Sequence, residues 1–436
     1  MSYPAWWDRV IRRMTAKHNN DPARFPGAVF AAETGNDGRL VHSVGGGWSR
    51  NTICEIGSMT KPFTAVALLL ALEGRGLLNP DKPVHELPGG EPWAALPPHD
   101  PRRQITVRHL LQHRSGLPWF VERHVLKPPP CAGAGASWTG SPGLTNECVL
   151  ADGAWRQART VGLFKVGAFV MQNYAPEFQP GTQTKYSNFD YIVAGRLVEA
   201  LTGRSLSLFL KEKLFNPLGM ADSFFLPLRT GDAAVDDKLF EGVTPQQVAR
   251  IARVTNITPD GNLPPEVAPA LDTSVVNRWD ERRRGWRFVW PEGGLYSTAD
   301  DQMNFLRMLH QRGRHGGAQV LSPRVWELVV REQGGVGSTL AFPYMAAGSS
   351  FGQGAGTLDH LGRFMTYFWY DPRPQNQVLG VFLSQRLTRV AVGGNVADGV
   401  AVINQFVKLV YDGVRAAPEE QTLGEAPDVL SASLRT

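Results

Sequence analysis

Apolar residues recur along this chain at two different spacings, and the two spacings occupy different regions. An N-terminal amphipathic helix over residues 4–18 is predicted by the three- and four-residue steps between Trp6, Trp7, Val10, Ile11 and Met14. Helical spacing returns mainly at 58–74 and 163–215. Strand-like runs occupy four segments: 27–34, 39–44, 363–370 and 378–384. Strands are therefore expected near both ends of the chain and helices in the middle.

This order predicts an α+β fold, in which an antiparallel sheet from N- and C-terminal segments is flanked by helices. One domain combines residues 1–80 with 290–415, and a mainly helical domain, 81–289, is inserted between them. Surface insertions are expected near 127–160 and 229–285, and a mobile tail at 416–436. We expect an active site in the cleft between the domains.

The composition predicts a soluble globular protein with room for two sizeable cores. Of the 436 residues, 42% are hydrophobic and 19% are charged. No run of about 18 apolar residues occurs, so no membrane-spanning helix is predicted. The first residues carry scattered charges and no apolar segment before a small-residue cleavage site, which favours a cytoplasmic location. The oligomeric state stays open.

The basic residues are dispersed, and no nucleic-acid partner is expected. The net charge is +5 and the pI about 9.1. The densest cluster, arginines 282–284 near Trp286 and Arg287, is interpreted as a solvated loop rather than an anion or nucleic-acid patch, because no long basic run accompanies it.

Neither the histidines nor the cysteines indicate a metal or cofactor. His109 and His113 have the four-residue spacing of zinc-site helices, but the glutamate after the first histidine and a third ligand are missing. Cys131 and Cys148 bracket a glycine- and serine-rich loop and could pair if oxidised, although free thiols are favoured in a cytoplasmic protein. Cys54 lies in an apolar run and is expected to fill core space.

A serine and a lysine three residues apart stand at the head of the strongly apolar helix. In Ser58-Met59-Thr60-Lys61 the two side chains fall on one helix face, so the Lys61 amine can reach the Ser58 hydroxyl. A serine needs a neighbouring base to act as a nucleophile, and the helix N-terminus supplies N–H groups for an oxyanion. The alternative, a helix cap followed by a solvated lysine, is common for this pattern, but the apolar residues after Lys61 disfavour it.

Two other segments carry candidate residues. Tyr186 and Asn188 lie two apart in a loop before a helix, where each could also be an ordinary turn residue. Ser350 stands in a Gly-x-Ser-x-Gly pattern, residues 348–352, like the nucleophile elbow of α/β-hydrolases. That elbow requires a strand before it and a helix after it, whereas loop is predicted on both sides here.

Taken together, three motifs resemble the serine β-lactamase and penicillin-binding-protein superfamily, in particular its class C-like branch with family VIII carboxylesterases and related acyltransferases. Ser58-x-x-Lys61 matches the first motif, Tyr186-Ser187-Asn188 the second, and His360-Leu361-Gly362 the third. The similarity covers roughly residues 25–410 apart from the insertions.

The resemblance implies a role for each matched residue. Ser58 would be the nucleophile, Lys61 its base or hydrogen-bond partner, and Tyr186 a second proton-transfer group. Asn188 would orient Lys61 or a substrate carbonyl. The oxyanion hole would be formed by the backbone N–H groups of Ser58 and Arg363, with the third motif, His360 and Gly362, lining the substrate site.

The resemblance, together with these residues, predicts a serine esterase or acyltransferase. The acyl group of a small-molecule ester or amide would pass through a Ser58 acyl-enzyme to water or to an amine or alcohol acceptor. A histidine at 360, where many relatives have lysine, offers no permanent charge to a substrate carboxylate. Two alternatives stay open: a β-lactamase or D-amino-acid-specific peptidase or amidase, and a non-catalytic binding or scaffold protein.

Overall fold

The structure, a computed structural model, describes residues 3–22, 25–35, 37–118, 162–225, 243–252, 255–256, 289–373, 377–387 and 397–423. Several predictions concern residues outside these ranges. They are the insertion at 127–160, most of the insertion at 229–285, the pairing of Cys131 with Cys148, and the arginine cluster at 282–284.

The elements of the described residues alternate between strand and helix near both ends of the chain. The strands are β1 (Ala28–Thr34), β2 (Leu40–Val44), β3 (Cys54–Glu55), β4 (Phe224–Phe225), β5 (Thr255–Asn256), β6 (Leu295–Ser297), β7 (Arg314–His315), β8 (Ala318–Gln319), β9 (Leu358–Gly362), β10 (Thr366–Asp371), β11 (Val378–Leu383) and β12 (Arg386–Leu387). The helices are α1 (Ala5–Asn20), α2 (Lys61–Gly74), α3 (Glu91–Ala94), α4 (Val107–Leu111), α5 (Leu163–Asn173), α6 (Asn188–Thr202), α7 (Leu206–Leu210), α8 (Asn216–Leu218), α9 (Pro245–Ala249), α10 (Ala299–His310), α11 (Pro323–Val330) and α12 (Ala397–Leu423). Other helical turns are formed by Gly57–Thr60, Val84–Glu86, Pro101–Gln104 and Lys211–Phe215.

The central sheet has five antiparallel strands in the order β2-β1-β11-β10-β9. Strand β1, from the start of the chain, pairs along its length with β11, from the end; Ala31 lies opposite Val381. The predicted α+β fold with a sheet from both ends of the chain is confirmed. The division into two domains stays a prediction, because one apolar cluster runs from α2 and β10 into α6.

The two faces of the sheet are covered by different helices. Because side chains alternate across a strand, Phe30 and Phe382 point to one face, where the aromatic rings of Trp7 from α1 and Phe406 from α12 pack on them. Their neighbours, such as Val29 and Val381, belong to the other apolar cluster, with α2 and α10. Helix α2 is therefore enclosed on nearly all sides, which explains its uniformly apolar sequence.

One boundary near the C-terminus differs from the sequence prediction. The last helix extends from Ala397 to Leu423 and therefore includes residues 416–423, the first part of the predicted tail. The mobility of the tail stays a prediction. The run from Ala416 to Gln421 is rich in alanine and glutamate, which favour helix despite Pro418. Residues 424–436 lie outside the described ranges. None of the described helices is both long and apolar enough to cross a bilayer.

Candidate active site

Ser58 lies in a 3₁₀ turn between β3 and α2. The turn covers Gly57–Thr60, and the α-helix begins only at Lys61, three residues later than predicted. The two side chains still share one face, because residues i and i+3 eclipse one another in a 3₁₀ turn. The Thr60 hydroxyl fixes the turn by donating to the Gly57 carbonyl at 2.7 Å and accepting from the Leu295 N–H at 3.1 Å.

Lys61 is fully buried and points at the nucleophile. Its Nζ donates to the Ser58 Oγ at 3.2 Å and to the Glu292 carbonyl at 2.8 Å. The same atom lies 4.8 Å from the centre of the Tyr186 ring and 5.6 Å from that of Tyr191. The alternative of a solvated lysine is thereby excluded.

Tyr186 joins the pair from a segment 128 positions away. Its Oη lies 2.8 Å from the Ser58 Oγ, and either oxygen can be the donor. Tyr186 remains 38% exposed, whereas Lys61 is fully buried. The next residue, Ser187, caps α6 by accepting from the Asp190 N–H at 3.4 Å. Tyr186 therefore stands at the entry of α6, held by a capped helix.

Asn188, the first residue of α6, does not bond to Lys61. Its Oδ1 is buried and has no hydrogen-bond partner among the described residues, while the Lys61 amine uses the Glu292 carbonyl instead. Of the two roles expected for Asn188, orienting Lys61 is not seen. Binding a polar group of the substrate stays a prediction.

The third motif lies directly against the nucleophile turn. The Thr366 hydroxyl donates to the Ile56 carbonyl at 2.8 Å. A Cβ on Gly362 would lie 2.2 Å from that carbonyl oxygen, and a Cβ on Gly57 would lie 2.9 Å from the Arg363 backbone nitrogen. Only glycines at 57 and 362 permit this approach, which brings the Arg363 backbone nitrogen against Gly57, the residue before Ser58. The oxyanion-hole role of Ser58 and Arg363 stays a prediction.

His360 is enclosed and close to Lys61. Burial, and then the positive charge of Lys61, lower the pKa of His360 to about 3, so its imidazole is neutral near pH 7. Its Nδ1 lies 3.1 Å from the Leu361 carbonyl oxygen. The third motif therefore offers a neutral polar ring to the site.

The competing motifs occupy other environments. Ser350 is exposed in a loop that has no strand before it and no helix after it, so the nucleophile-elbow interpretation does not apply. His109 accepts the Thr106 N–H within a capping box on α4. Cys54 is buried in the core as predicted, and burial raises the pKa of its thiol.

Two contributors to the site were missed by sequence reasoning. The Glu292 backbone carbonyl carries no side-chain signal, and only folding brings it to Lys61. His113 was considered only as a metal ligand. Its ring instead packs at a tilt against the Tyr186 ring, with 4.5 Å between ring centres.

The arrangement can activate a hydroxyl and move protons around it. Ser58 has a buried amine on one side and a half-exposed phenol on the other, both at hydrogen-bond distance. Such a triad serves nucleophilic acyl transfer, since one group can take the serine proton while the other protonates a leaving group. The described residues contain no cluster of metal-ligating side chains.

The chain is similar to a known protein family over most of its length. The family model described as Beta-lactamase matches residues 7–403. Penicillin-binding protein 4* of Bacillus subtilis is 28% identical over 49% of this chain and 41% of its own length. Lovastatin esterase of Penicillium rubens is 27% identical over 58% of this chain and 54% of its own. The chain spans about half the length of the curated relatives it matches first.

One solved structure illustrates the similarity of fold. The structure of EstCE1, titled a hydrolase with promiscuous acyltransferase activity, superposes with a TM-score of 0.62 at 18% identity, covering 93% of this chain and 98% of that one. At this identity the likeness concerns the fold alone.

Proposed function

The chain belongs to the beta-lactamase family, and from that premise we propose that it is a serine acyl-transfer enzyme working through an ester of Ser58. The observation that carries the proposal is the contact of the Ser58 Oγ with both the Tyr186 Oη, at 2.8 Å, and the Lys61 Nζ, at 3.2 Å. The non-catalytic alternative gives no reason for a buried amine, a phenol and a serine to meet at one accessible point.

The first half-reaction forms one bond and breaks one. The Ser58 Oγ attacks the substrate carbonyl carbon while its proton passes to the Tyr186 oxygen or the Lys61 nitrogen. The tetrahedral oxyanion is stabilised by backbone N–H groups beside Ser58 and Arg363. Collapse breaks the bond to the leaving oxygen or nitrogen, which takes a proton from Tyr186, the group nearest to solvent. In the second half, water, an alcohol or an amine attacks the acyl-enzyme and Ser58 recovers its proton.

The proposed substrates are small esters or amides without an obligatory carboxylate. A neutral His360 in the third motif gives a substrate carboxylate no ionic partner at that position. Lovastatin esterase of Penicillium rubens is named for cleaving an ester, which supports this class. β-Lactams and D-alanyl peptides, the alternative that the motif resemblance leaves open, are the second candidate. The name of Penicillin-binding protein 4* supports the β-lactams.

The decisive experiment combines covalent labelling with a substrate panel. A fluorophosphonate should add one label to the protein, and peptide mass spectrometry should locate it on Ser58. Ser58→Ala should abolish labelling, whereas Ser350→Ala, the matched control, should label like the wild type. The panel contains p-nitrophenyl acetate and butyrate, a D-alanyl p-nitroanilide and a chromogenic cephalosporin, each with and without an added alcohol or amine.

Turnover of the neutral esters in preference to the cephalosporin and the D-alanyl substrate is expected, with new ester or amide products when an acceptor is added. Absence of label, or label on Ser350, contradicts the catalytic proposal. Faster turnover of the cephalosporin or the D-alanyl substrate than of either ester contradicts the substrate class and leaves Ser58 as nucleophile.

A further inference from the structure

His113 is bonded to the residues on both sides of Tyr186. Its carbonyl accepts the Lys185 N–H at 2.8 Å, and its Nδ1 accepts the Ser187 N–H at 3.2 Å. His113 thus binds the backbone N–H groups of both residues that flank Tyr186. Sequence gives no hint of this, because 73 positions separate His113 from Tyr186.

The imidazole also supports the phenol ring itself. The two ring centres are 4.5 Å apart, with 37° between the ring planes. Tyr186 is 38% exposed, so much of its surface has no protein against it. Stacking on His113 restricts the side chain on its covered face.

His113 is itself held in place by a buried network. It adopts φ +57°, a left-handed conformation that a non-glycine residue rarely takes without support from its surroundings. Asp190 on α6 is fully buried, and its Oδ2 lies 3.1 Å from the His113 Nδ1. The Ser115 hydroxyl donates to the other Asp190 oxygen. These bonds tie the turn after α4 to the start of α6, beside Tyr186.

From these contacts we propose that His113 is the positioning residue that holds the Tyr186 phenol against Ser58. This inference rests on the proposed function. His113 acts through Tyr186 and does not touch the substrate. The role requires an acceptor at Nδ1, hence a neutral imidazole protonated at Nε2, and the Asp190 Oδ2 contact then requires the proton on Asp190. Burial favours that form, since it lowers the pKa of His113 and raises the pKa of Asp190.

Two substitutions separate the side chain from the backbone conformation. His113→Gly accepts a positive φ but removes the ring and the acceptor. His113→Asn also tolerates the left-handed region, and its amide oxygen can replace Nδ1 as acceptor for the Ser187 N–H. We expect His113→Gly to lower kcat for p-nitrophenyl acetate by about 10- to 100-fold, with KM changed less than about threefold, because a small displacement of a catalytic group slows the chemical step. His113→Asn should recover part of the loss.

A double-mutant cycle tests whether the effect passes through Tyr186. Once Tyr186→Phe has removed the phenol, neither His113→Gly nor His113→Asn should lower kcat by more than about twofold. An equal loss of kcat in the wild-type and Tyr186→Phe backgrounds, or no rescue by His113→Asn, overturns the positioning role. Thermal unfolding identifies variants that fail to fold. If His113→Gly does not fold, the double-mutant cycle with His113→Asn decides alone. If kcat is normal in both His113 variants and the enzyme is labelled at Ser58, only this inference is refuted. If labelling is absent, the proposed function is refuted as well.

Discussion

The Tyr186 phenol oxygen lies 2.8 Å from the Ser58 hydroxyl oxygen, and the buried Lys61 amine approaches the same hydroxyl at 3.2 Å. One oxygen atom therefore has two proton-transfer partners, one exposed and one buried. The difference in exposure supports the proposal that Tyr186 contacts the leaving group, because the Lys61 side chain is fully buried.

Removing the phenol hydroxyl should slow acylation. Tyr186→Phe keeps the ring stacked on His113 but takes away the proton carrier, and general acid–base groups typically contribute about 10²- to 10⁴-fold. Tyr191→Phe is the matched control, because the Tyr191 hydroxyl donates to the Leu111 carbonyl and does not contact Ser58. Burst kinetics with p-nitrophenyl acetate should show the loss only for Tyr186→Phe. Equal rates for the two variants would contradict the assignment.

Replacing Lys61 by arginine should abolish acylation although the positive charge remains. A guanidinium has no accessible lone pair and keeps its protons, so it cannot take the serine proton. The expected loss is at least about 10²-fold in the labelling rate with a fluorophosphonate. Lys61→Met, similar in length and uncharged, should be equally slow. An arginine variant that labels as fast as the wild type would show that Lys61 contributes only its charge.

Alanine at Gly57 should damage the site more than alanine at another left-handed glycine. Gly57 has φ +58° and no space for a Cβ beside Arg363, whereas Gly76 has φ +68° and no atom within 4 Å of the point that a Cβ would occupy. Both substitutions should lower the free energy of unfolding by about 1–2 kcal/mol through backbone strain. Only Gly57→Ala should also reduce acylation, by about 10-fold or more, because the Arg363 backbone must move. Unfolding measurements on both variants report the backbone strain. Burst kinetics report whether the Arg363 backbone has been displaced.

Asp301 should make the protein less stable as the pH rises from about 4 to 7. Burial raises the pKa of this carboxyl to about 7, so between the unfolded and folded pKa values the unfolded chain ionises and the folded chain does not. The stability that the protonated Asp301 carboxyl contributes is complete below its pKa in the unfolded chain. It is lost as the pH rises through its pKa in the folded protein. Asp301→Asn keeps an acceptor for the Ser223 hydroxyl and cannot ionise.

The unfolding free energy of Asp301→Asn should therefore increase relative to that of the wild type between pH 4 and 8, by at most about 4 kcal/mol. Asp222→Asn is the control of opposite sign. A hydrogen bond from Arg250 lowers the pKa of Asp222, so that substitution should be most harmful at neutral pH and nearly silent at low pH. Parallel pH profiles for the wild type and Asp301→Asn would contradict the buried, protonated carboxyl.

The sequence by itself determined the class of fold, the Ser58–Lys61 pairing and the position of Tyr186 just before a helix, because these depend on local periodicity and on residues one turn apart. It misplaced the start of α2 and did not predict that α12 continues beyond residue 415, because helix propensities of ordinary residue types differ by only about 0.7 kcal/mol or less per residue. Only the tertiary structure decided that the Glu292 carbonyl, not Asn188, binds the Lys61 amine, that His360 is neutral, and that His113 supports Tyr186. Each of these depends on burial or on contacts between distant segments, which chain order does not encode locally.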